Sequence, residues 1–518
     1  MKKLFISLLI ATSIVSCSED FLDRSSLTSI AENNFWQSEA DAFLALNAVY
    51  STLQSQRLYG GTLNGKQGFP AYDSFGDNSK NAWKWEGPGL YMEGTLNASD
   101  EFYEGIWTNI YQGIGRANSV IQNVNDISED LIPVETKNEL LGQAYFLRAL
   151  FNFNLAMYFE DAPLITEPQT LEEAFVSKNT YAEITAQIIE DLKFASANLP
   201  LPGDLDASLF GYATKGAALG LFARVQLYNH VYDGEFGVLN LTQQAMELGY
   251  ALHPDYAALF SPSGENSAEI MFSIRFERGA DTNNGESFGS SYKASPKVDE
   301  QPMPNLVNDY YCTDGLPITS SILYNPAAEQ ENRDPRALAT FFFKGDIFNT
   351  DLGKAFKPNA NFQFGKRKYI RTGADAEGNN PWDQGSQDFY VIRYADLLLM
   401  RAEAMAETND LTGAMGLINT IRDRVNMPHV EDVEGSGLDQ TEMIDLVKHE
   451  RRVELGLEGW RFMDLKRWGE MEAAIERANS DGIGGYSPQY LGKKSEIFPI
   501  PQSELDVNKN LEQHDAWK

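Results

Sequence analysis

The feature that most constrains the fold is a pair of apolar stripes with helical spacing in residues 390–425. The stripes consist of Ala395, Leu398, Leu399 and Ala402, and then of Ala414, Leu417, Ile418, Ile421 and Val425. Apolar residues three and four positions apart line one face of an α-helix, so the stripes predict two helices. Because the polar residues Asn409 and Asp410 separate them, we predict an antiparallel helical hairpin with a short turn.

The hairpin is about as long as a tetratricopeptide repeat, which has a period of roughly 34 residues. Such a unit cannot bury its apolar face alone and needs stacked neighbours. Helical patterns recur at about residues 35–56 and 100–250 and continue from 390 to 477, with Thr214 at a predicted N-cap. We therefore predict a mainly α fold built from helical hairpins.

Two stretches lack helical periodicity. Residues 60–94 contain eight glycines and six aromatic residues, and residues 261–388 are rich in Asn, Asp, Gly, Pro and Ser. We predict a long aromatic loop in the first stretch and a loop-dominated insertion with short strands in the second. Loops of this length are usually functional or disordered, and the aromatic content argues against disorder.

The first 16 residues have the composition of an export signal. An apolar run at residues 4–15 follows Lys2 and Lys3; it is too short to span a bilayer but suits a signal peptide. Cys17 comes next, in a context that resembles a bacterial lipobox, and the acidic residues after it resemble a surface-export signal of Bacteroidetes lipoproteins. The alternative is an ordinary secretory signal with a cysteine near the cleavage point.

Charge and composition exclude several classes of function. The net charge of −32 argues against nucleic acid and anionic lipid surfaces as partners. If Cys17 is acylated, only Cys312 remains, and the five histidines lack paired spacing, so we predict no metal site and no cofactor. No spacing of the EF-hand type is present.

Several segments together resemble one family, the SusD/RagB outer-membrane nutrient-binding lipoproteins. The segments are CSEDFLD (17–23), YFLRALFNFNLAMYFEDAPLI (145–165), ATKGAALGLFARVQLYN (213–229), RYADLLLMRAEAMAE (393–407), ERRVELGLEGWRFMDLKRWG (450–469) and FPIPQSELDVNKNL (498–511). The resemblance implies a SusD-like fold, with tetratricopeptide-type hairpins and an irregular ligand-binding part. It divides the chain into a signal peptide (1–16) and a single body (17–518).

The resemblance also implies a function and a location. The protein would be lipid-anchored through Cys17 and exposed at the outer-membrane surface. There it would bind oligosaccharides or polysaccharides and deliver them to a SusC-like, TonB-dependent transporter, without catalysis. The alternatives are a peptide cargo, a surface glycosidase, and a repeat scaffold that binds only protein.

A sugar site needs aromatic platforms for C–H faces beside polar groups for hydroxyls. The aromatic loop supplies this combination in Tyr72, Asp73, Asp77, Asn78, Lys80, Trp83, Trp85 and Tyr91. Trp83 and Trp85 share one face if their segment is extended. Trp382 and Tyr292, in the second irregular region, are weaker candidates. The alternative is that these aromatic residues only pack the loop.

A charge-dense run at residues 448–467 raises the possibility of catalysis. Glu450 and Glu454 are four positions apart and share a helix face, and paired carboxylates hydrolyse glycosides when they face each other across a cleft. The adjacent basic residues instead favour an ion-pair network between the last helices. Trp107, Trp460 and Trp468 lie in helical segments, and we predict structural roles for them.

Overall fold

The structure, a computed structural model, describes residues 35–61, 67–206, 209–277, 285–289, 300–349, 353–371 and 385–518. The α-helices are α1 (Glu39–Leu53), α2 (Gly87–Met92), α3 (Glu101–Asp126), α4 (Val134–Phe159), α5 (Tyr181–Asn198), α6 (Lys215–Tyr228), α7 (Val238–Met246), α8 (Tyr256–Leu259), α9 (Pro304–Asp309), α10 (Pro335–Thr340), α11 (Tyr394–Glu407), α12 (Leu411–Arg424), α13 (Val430–Val433), α14 (Gln440–Leu455), α15 (Arg461–Trp468), α16 (Met471–Ser480) and α17 (Gln502–Val507). The strands are β1 (Ser79–Asn81), β2 (Ile270–Ile274), β3 (Glu300–Pro302), β4 (Phe341–Phe342), β5 (Ile347–Asn349), β6 (Lys354–Ala355), β7 (Gly365–Lys366) and β8 (Phe389–Arg393). The predicted mainly α class is confirmed.

The predicted hairpin is formed by α11 and α12. Asn409 adopts a positive φ of 67° in the turn, and the carboxylate of Asp410 caps α12 by accepting a hydrogen bond from the amide of Gly413 at 3.0 Å. The prediction is wrong for residues 390–393, which belong to strand β8. These aromatic and β-branched residues favour a pleated strand, and the pairing with β2 provides one.

The other long helices pack as sequence neighbours: α3 on α4, α4 on α5, and α6 on α7, with α1 against α3. The α3–α4 contact depends on a small residue. A Cβ atom at Gly113 would lie 2.3 Å from the ring of Phe151 on α4, so only glycine lets this ring pack against the backbone of α3. Thr214 occupies the predicted N-cap position of α6, although its side chain makes no capping hydrogen bond.

The second irregular region contributes short strands, as predicted. In the described part of the chain the strands form four two-stranded sheets, β1–β3, β2–β8, β4–β7 and β5–β6. Antiparallel pairing of β2 with β8 joins this region to the α11–α12 hairpin. The pairing of β1 with β3, with Lys80 opposite Gln301, joins it to the aromatic stretch.

The aromatic stretch is not the long loop that the sequence predicted. It contains a 3₁₀ helix (Phe69–Phe75), β1 and α2, and residues 62–66 lie outside the described part. These elements are too short to show a helical period, and most of their residues are buried. A sequence pattern that depends on one buried face therefore could not reveal them.

The C-terminal tail completes the core around this stretch. The ring of Phe498 lies with centroid distances of 5.2 to 6.3 Å from the rings of Tyr72, Phe75, Tyr91, Phe102, Tyr103, Tyr158, Phe159 and Phe462. Its backbone amide donates to the carbonyl of Tyr158 at 2.7 Å. The tail thus fastens the aromatic stretch to α3, α4 and α15.

The charge-dense run forms the predicted ion-pair network. Arg393 of β8 donates to Glu454 of α14 at 2.6 Å and to Glu269 at 2.9 Å. Glu450 is held by Arg336 at 2.6 Å and by Arg422 at 3.1 Å. All six side chains are buried, so the network joins the irregular region to the last helices.

Candidate functional site

Trp83 and Trp85 form an exposed aromatic pair between β1 and α2. Their side chains are 47% and 65% exposed, and their ring centroids lie 6.2 Å apart with planes inclined by 36°. Large aromatic side chains are normally buried in the core or in an interface. A tandem pair left at the surface therefore presents an exposed apolar platform.

The segment that carries the pair is a turn, so the extended conformation that would place both tryptophans on one face is not adopted. The amide of Trp83 donates to Oδ1 of Asn81 at 2.8 Å, and the amide of Glu86 donates to the carbonyl of Trp83 at 3.2 Å. A Cβ atom at Gly89 would lie 2.7 Å from that carbonyl. Glycine at this position therefore lets α2 pack directly beneath the turn.

Lys84 stands between the two tryptophans and was not identified from the sequence. Its Nζ lies 2.6 Å from Oε1 of Glu93, and a side chain at Gly485 would meet its Cε at 3.9 Å. A side chain at Gly484 would meet Oδ1 of Asn361 at 3.8 Å. The glycine-rich run at 482–485 is visible in the sequence. Its position beside the tryptophan pair follows only from the fold.

Asp77 anchors β1 from below. Its carboxylate accepts from Arg461 Nε at 2.7 Å and from Arg477 Nε at 2.8 Å, and Arg452 Nη2 lies 3.2 Å away. Burial alone would raise the pKa of Asp77, but these arginines hold the pKa well below its usual range. Asp77 is thus a buried anion whose carboxylate oxygens are already engaged by arginines of the protein.

Asp73 is also an interior group. It accepts hydrogen bonds from the backbone amides of Leu457 and Arg461 at 2.7 and 3.1 Å, and from Nδ2 of Asn78 at 3.0 Å. Burial raises the pKa of Asp73 above its ordinary value, although these hydrogen bonds act in the opposite direction. Asn78 is buried as well, and its Oδ1 accepts from Arg452 Nε at 2.9 Å.

The remaining candidates of the aromatic stretch are buried. Tyr72 and Tyr91 belong to the core around Phe498, and the Tyr91 hydroxyl donates to the carbonyl of Lys494 at 3.3 Å. Lys80 Nζ donates to Oε1 of Gln301 at 2.7 Å. Burial, with Lys84 nearby, lowers the pKa of Lys80 to about 8.

The site predicted from composition therefore separates into two groups. Trp83 and Trp85 reach the surface, whereas Tyr72, Asp73, Asp77, Asn78, Lys80 and Tyr91 are buried supports of the turn. We correct the candidate site accordingly and do not retain these six residues as ligand contacts. Trp382, Tyr292 and the lipidation residue Cys17 lie outside the described residues.

The predicted structural tryptophans have interior contacts. Trp107 and Trp460 are buried, and the guanidinium of Arg224 lies 3.6 Å from the ring centroid of Trp460. Trp468 is half-buried and donates its Nε1–H to Glu403 at 3.0 Å.

Within the described ranges, no group of three or more His, Cys, Asp or Glu side chains is arranged to hold a metal ion. None of the helices described here combines the length and the apolar character that a membrane span requires.

Two family models match this chain. The model of the SusD family matches residues 268–517, and a model described as starch-binding, associating with the outer membrane, matches residues 20–227. A SusD-like protein of Formosa agariphila is 26% identical, over 100% of this chain and 98% of the relative.

Solved structures share the fold. A SusD-like carbohydrate-binding protein from Bacteroides fragilis superposes with a TM-score of 0.78 and 27% identity, over 92% of this chain and 100% of that one. A laminarin-binding SusD-like protein has a TM-score of 0.71 and 23% identity, over 92% of this chain and 99% of its own. On these matches, the chain belongs to the SusD/RagB family.

Proposed function

We propose that this protein is a non-catalytic, surface-exposed lipoprotein of the outer membrane that binds oligosaccharides or polysaccharides. In this proposal Trp83 and Trp85 hold the glycan, and a SusC-like, TonB-dependent transporter receives it for uptake. Cys17 carries the lipid anchor.

The exposed tryptophan pair is the observation that carries the proposal. Pyranose rings present apolar C–H faces that stack on aromatic rings. Removing such a face from water costs little free energy. A centroid separation of 6.2 Å with an inclination of 36° suits two neighbouring sugar units better than a single flat ring. Lys84, paired with Glu93, supplies charged groups for hydroxyls at the rim.

The turn is pre-organised by the interior beneath it. Three arginines hold Asp77 below β1, and the glycine contact at Gly89 holds the turn against α2. A rigid platform spends less conformational entropy when it binds. This favours capture of a flexible chain through a few stacking contacts.

The relatives support glycan cargo. One matching family model is described as starch-binding, and a structural neighbour at 27% identity is a carbohydrate-binding protein. The outer-membrane location is supported by the description of the same family model and by the lipobox-like sequence at Cys17.

The positions of the carboxylates argue against a glycosidase. A hydrolytic pair must face a substrate across an open cleft. Asp73 and Asp77 are buried and bonded to the fold, and Glu450 and Glu454 are buried among arginines. These four carboxylates therefore stabilise the fold, and a substrate could engage them only by breaking their hydrogen bonds and ion pairs.

Binding can be tested with the mature chain in mild detergent against starch, laminarin and polygalacturonate. Trp83→Ala and Trp85→Ala should each weaken binding of a recognised glycan tenfold or more, about 1.4 kcal/mol, because each removes a stacking surface. Phe175→Ala is the matched control, since it removes another exposed aromatic side chain (46% exposed). Affinities would be measured by isothermal titration calorimetry.

Three outcomes would contradict the proposal. Glycan binding that survives in both tryptophan variants would move the site elsewhere. Binding of a casein peptide digest with no glycan binding would favour peptide cargo. Release of reducing sugar from a bound polysaccharide would show a glycosidase.

A further inference from the structure

A groove runs along strand β2, and none of its residues belongs to the tryptophan pair. It consists of two adjoining cavities of about 330 Å³ and about 160 Å³ that share Phe210, Gly211, Tyr212, Ser273 and Arg275. The C-terminal half of α1, with its C-cap residue Gln54, forms one wall through Asn47, Tyr50, Ser51 and Gln54. We call this surface the β2 groove.

Phe210 and Tyr212 form the aromatic wall of the β2 groove, and Tyr212 is half-buried. Phe210 is 53% exposed. The ring of Tyr212 stacks on Tyr50 with centroids 4.8 Å apart and planes within 5°, and its hydroxyl donates to Oδ1 of Asn47 at 2.5 Å. The groove therefore has an aromatic wall whose orientation is set before any ligand arrives.

A half-exposed cation lies against this wall. The guanidinium of Arg275 is 4.5 Å from the ring centroid of Phe210, and its Nη1 lies 3.3 Å from the buried Oδ2 of Asp388. Gly211 has a φ of +102°, and a Cβ atom there would lie 2.4 Å from Cδ of Arg275. Glycine at position 211 therefore lets the backbone beside Phe210 approach Arg275 closely. The side chain of Arg275 remains 38% exposed.

Both amides in the α1 wall retain one polar atom that no described hydrogen bond uses. Asn47 accepts from Tyr212 through Oδ1, which leaves its two Nδ2 protons as donors. Gln54 donates through Nε2 to the carbonyl of Arg275 at 2.7 Å, which leaves its Oε1 as an acceptor. A donor amide, an acceptor amide and a guanidinium therefore surround the aromatic wall.

The floor of the groove is the edge of β2. Residues 270–273 line one cavity and residues 273–275 line the other. Successive side chains of a strand point to opposite faces, so a consecutive lining indicates that the strand edge faces the groove, opposite its pairing with β8. Its pairing register shifts between Ile270 and Phe272 and again before Ser273. Such irregular edges resist the addition of a further strand, which disfavours an extended peptide as the occupant.

We propose that the β2 groove is a second saccharide-binding site, in which one pyranose unit lies against Phe210 and Tyr212. Asn47, Gln54 and Arg275 bind its hydroxyls. Rings beside donors and acceptors of both kinds match a sugar, which presents C–H faces and hydroxyls that both donate and accept. This inference rests on the proposed function, because it assumes that the cargo is a glycan.

Two sites on one protein change how a polysaccharide is held. A chain long enough to reach both sites binds the second one as an intramolecular step. Each site can then stay weak enough to release its sugar, while the polymer as a whole is retained. Short oligosaccharides lack this advantage and bind each site separately.

The test is the stoichiometry of maltohexaose and laminarihexaose on the full chain in mild detergent, by isothermal titration calorimetry with tryptophan fluorescence in parallel. We expect two sites per wild-type chain for the recognised hexasaccharide, and one in Phe210→Ala, whose remaining site still changes tryptophan emission. Trp83→Ala/Trp85→Ala should also retain one site. Phe175→Ala is the control and should retain both, and far-ultraviolet circular dichroism checks that each variant is folded.

The outcomes separate the two proposals. One wild-type site that is lost in Trp83→Ala/Trp85→Ala and unchanged in Phe210→Ala overturns the β2 groove and leaves the proposed function intact. No binding of either hexasaccharide, or of starch and laminarin, overturns the proposed function and the groove with it. Binding of casein peptides that is lost in Phe210→Ala assigns the groove to peptide and overturns the saccharide site. If Phe210→Ala is misfolded, Asn47→Ala replaces it with the same expectation.

Discussion

The replacement Asp77→Asn tests how strongly the interior supports the tryptophan turn. It keeps the size of the side chain and removes one buried negative charge. Arg461 and Arg477 contact this carboxylate at 2.7 and 2.8 Å, and Arg452 lies at 3.2 Å. Arg461 and Arg452 are themselves almost fully buried. The variant leaves Arg461 in the interior without a carboxylate partner, whereas Arg452 keeps Asp309 at 2.9 Å.

The expected loss follows from the burial of these partners. Removing one member of a buried ion pair typically costs about 3–5 kcal/mol, because the other charge stays uncompensated. The Arg477 contact adds little, since that side chain is 39% exposed and exposed pairs contribute only about 0–1 kcal/mol. We therefore expect Asp77→Asn to lower the free energy of unfolding by about 3–5 kcal/mol.

Urea denaturation followed by far-ultraviolet circular dichroism at pH 7 measures this loss. Glu190→Gln is the matched control: it neutralises a carboxylate that lies 2.7 Å from Lys193 at the surface, and should leave the midpoint unchanged. A loss of less than 1 kcal/mol in Asp77→Asn would refute the reasoning. It would mean that water or rearranged side chains compensate the arginines below β1.

Two further predictions concern packing and pH. Gly113→Ala should destabilise the protein by about 1–3 kcal/mol, because its Cβ would overlap the ring of Phe151. Gly115→Ala, on the same helix with no atom within 4 Å of the new Cβ, should stabilise it by up to about 1 kcal/mol; equal melting temperatures for the two variants would contradict this. Burial raises the pKa of Asp388 from its ordinary value of 3.8 to about 6, so the folded state holds an extra proton between these pH values. Stability should therefore fall by up to about 3 kcal/mol as the pH rises from 4 through 6. Asp388→Asn retains the acceptor for the Phe276 amide and should remove this component in urea midpoints measured from pH 4 to 7.5; an unchanged pH profile would exclude Asp388 as the source.

The helical part of the fold could be predicted because its information is local. The stripes at Ala395 and Ala414 recur with the helical period within a few turns, and α11 and α12 follow them. The strand at residues 389–393 was missed because its partner, β2, lies more than one hundred residues earlier in the chain. A pairing between segments so far apart in the chain produces no periodic pattern of apolar residues within a short stretch of sequence.

The candidate site shows the same division. The sequence alone determined that residues 60–94 bring aromatic, acidic and amide side chains together, and that Trp83 and Trp85 are among them. Of the predicted site residues in this stretch, only the two tryptophans reach the surface of the folded chain. Asp77 is buried because Arg461, 384 positions later in the chain, supplies its counter-charge, and Tyr72 is buried because Phe498 arrives from the C-terminal tail. Burial of a polar or aromatic residue depends on partners that distant segments provide, and composition within one loop does not specify those partners.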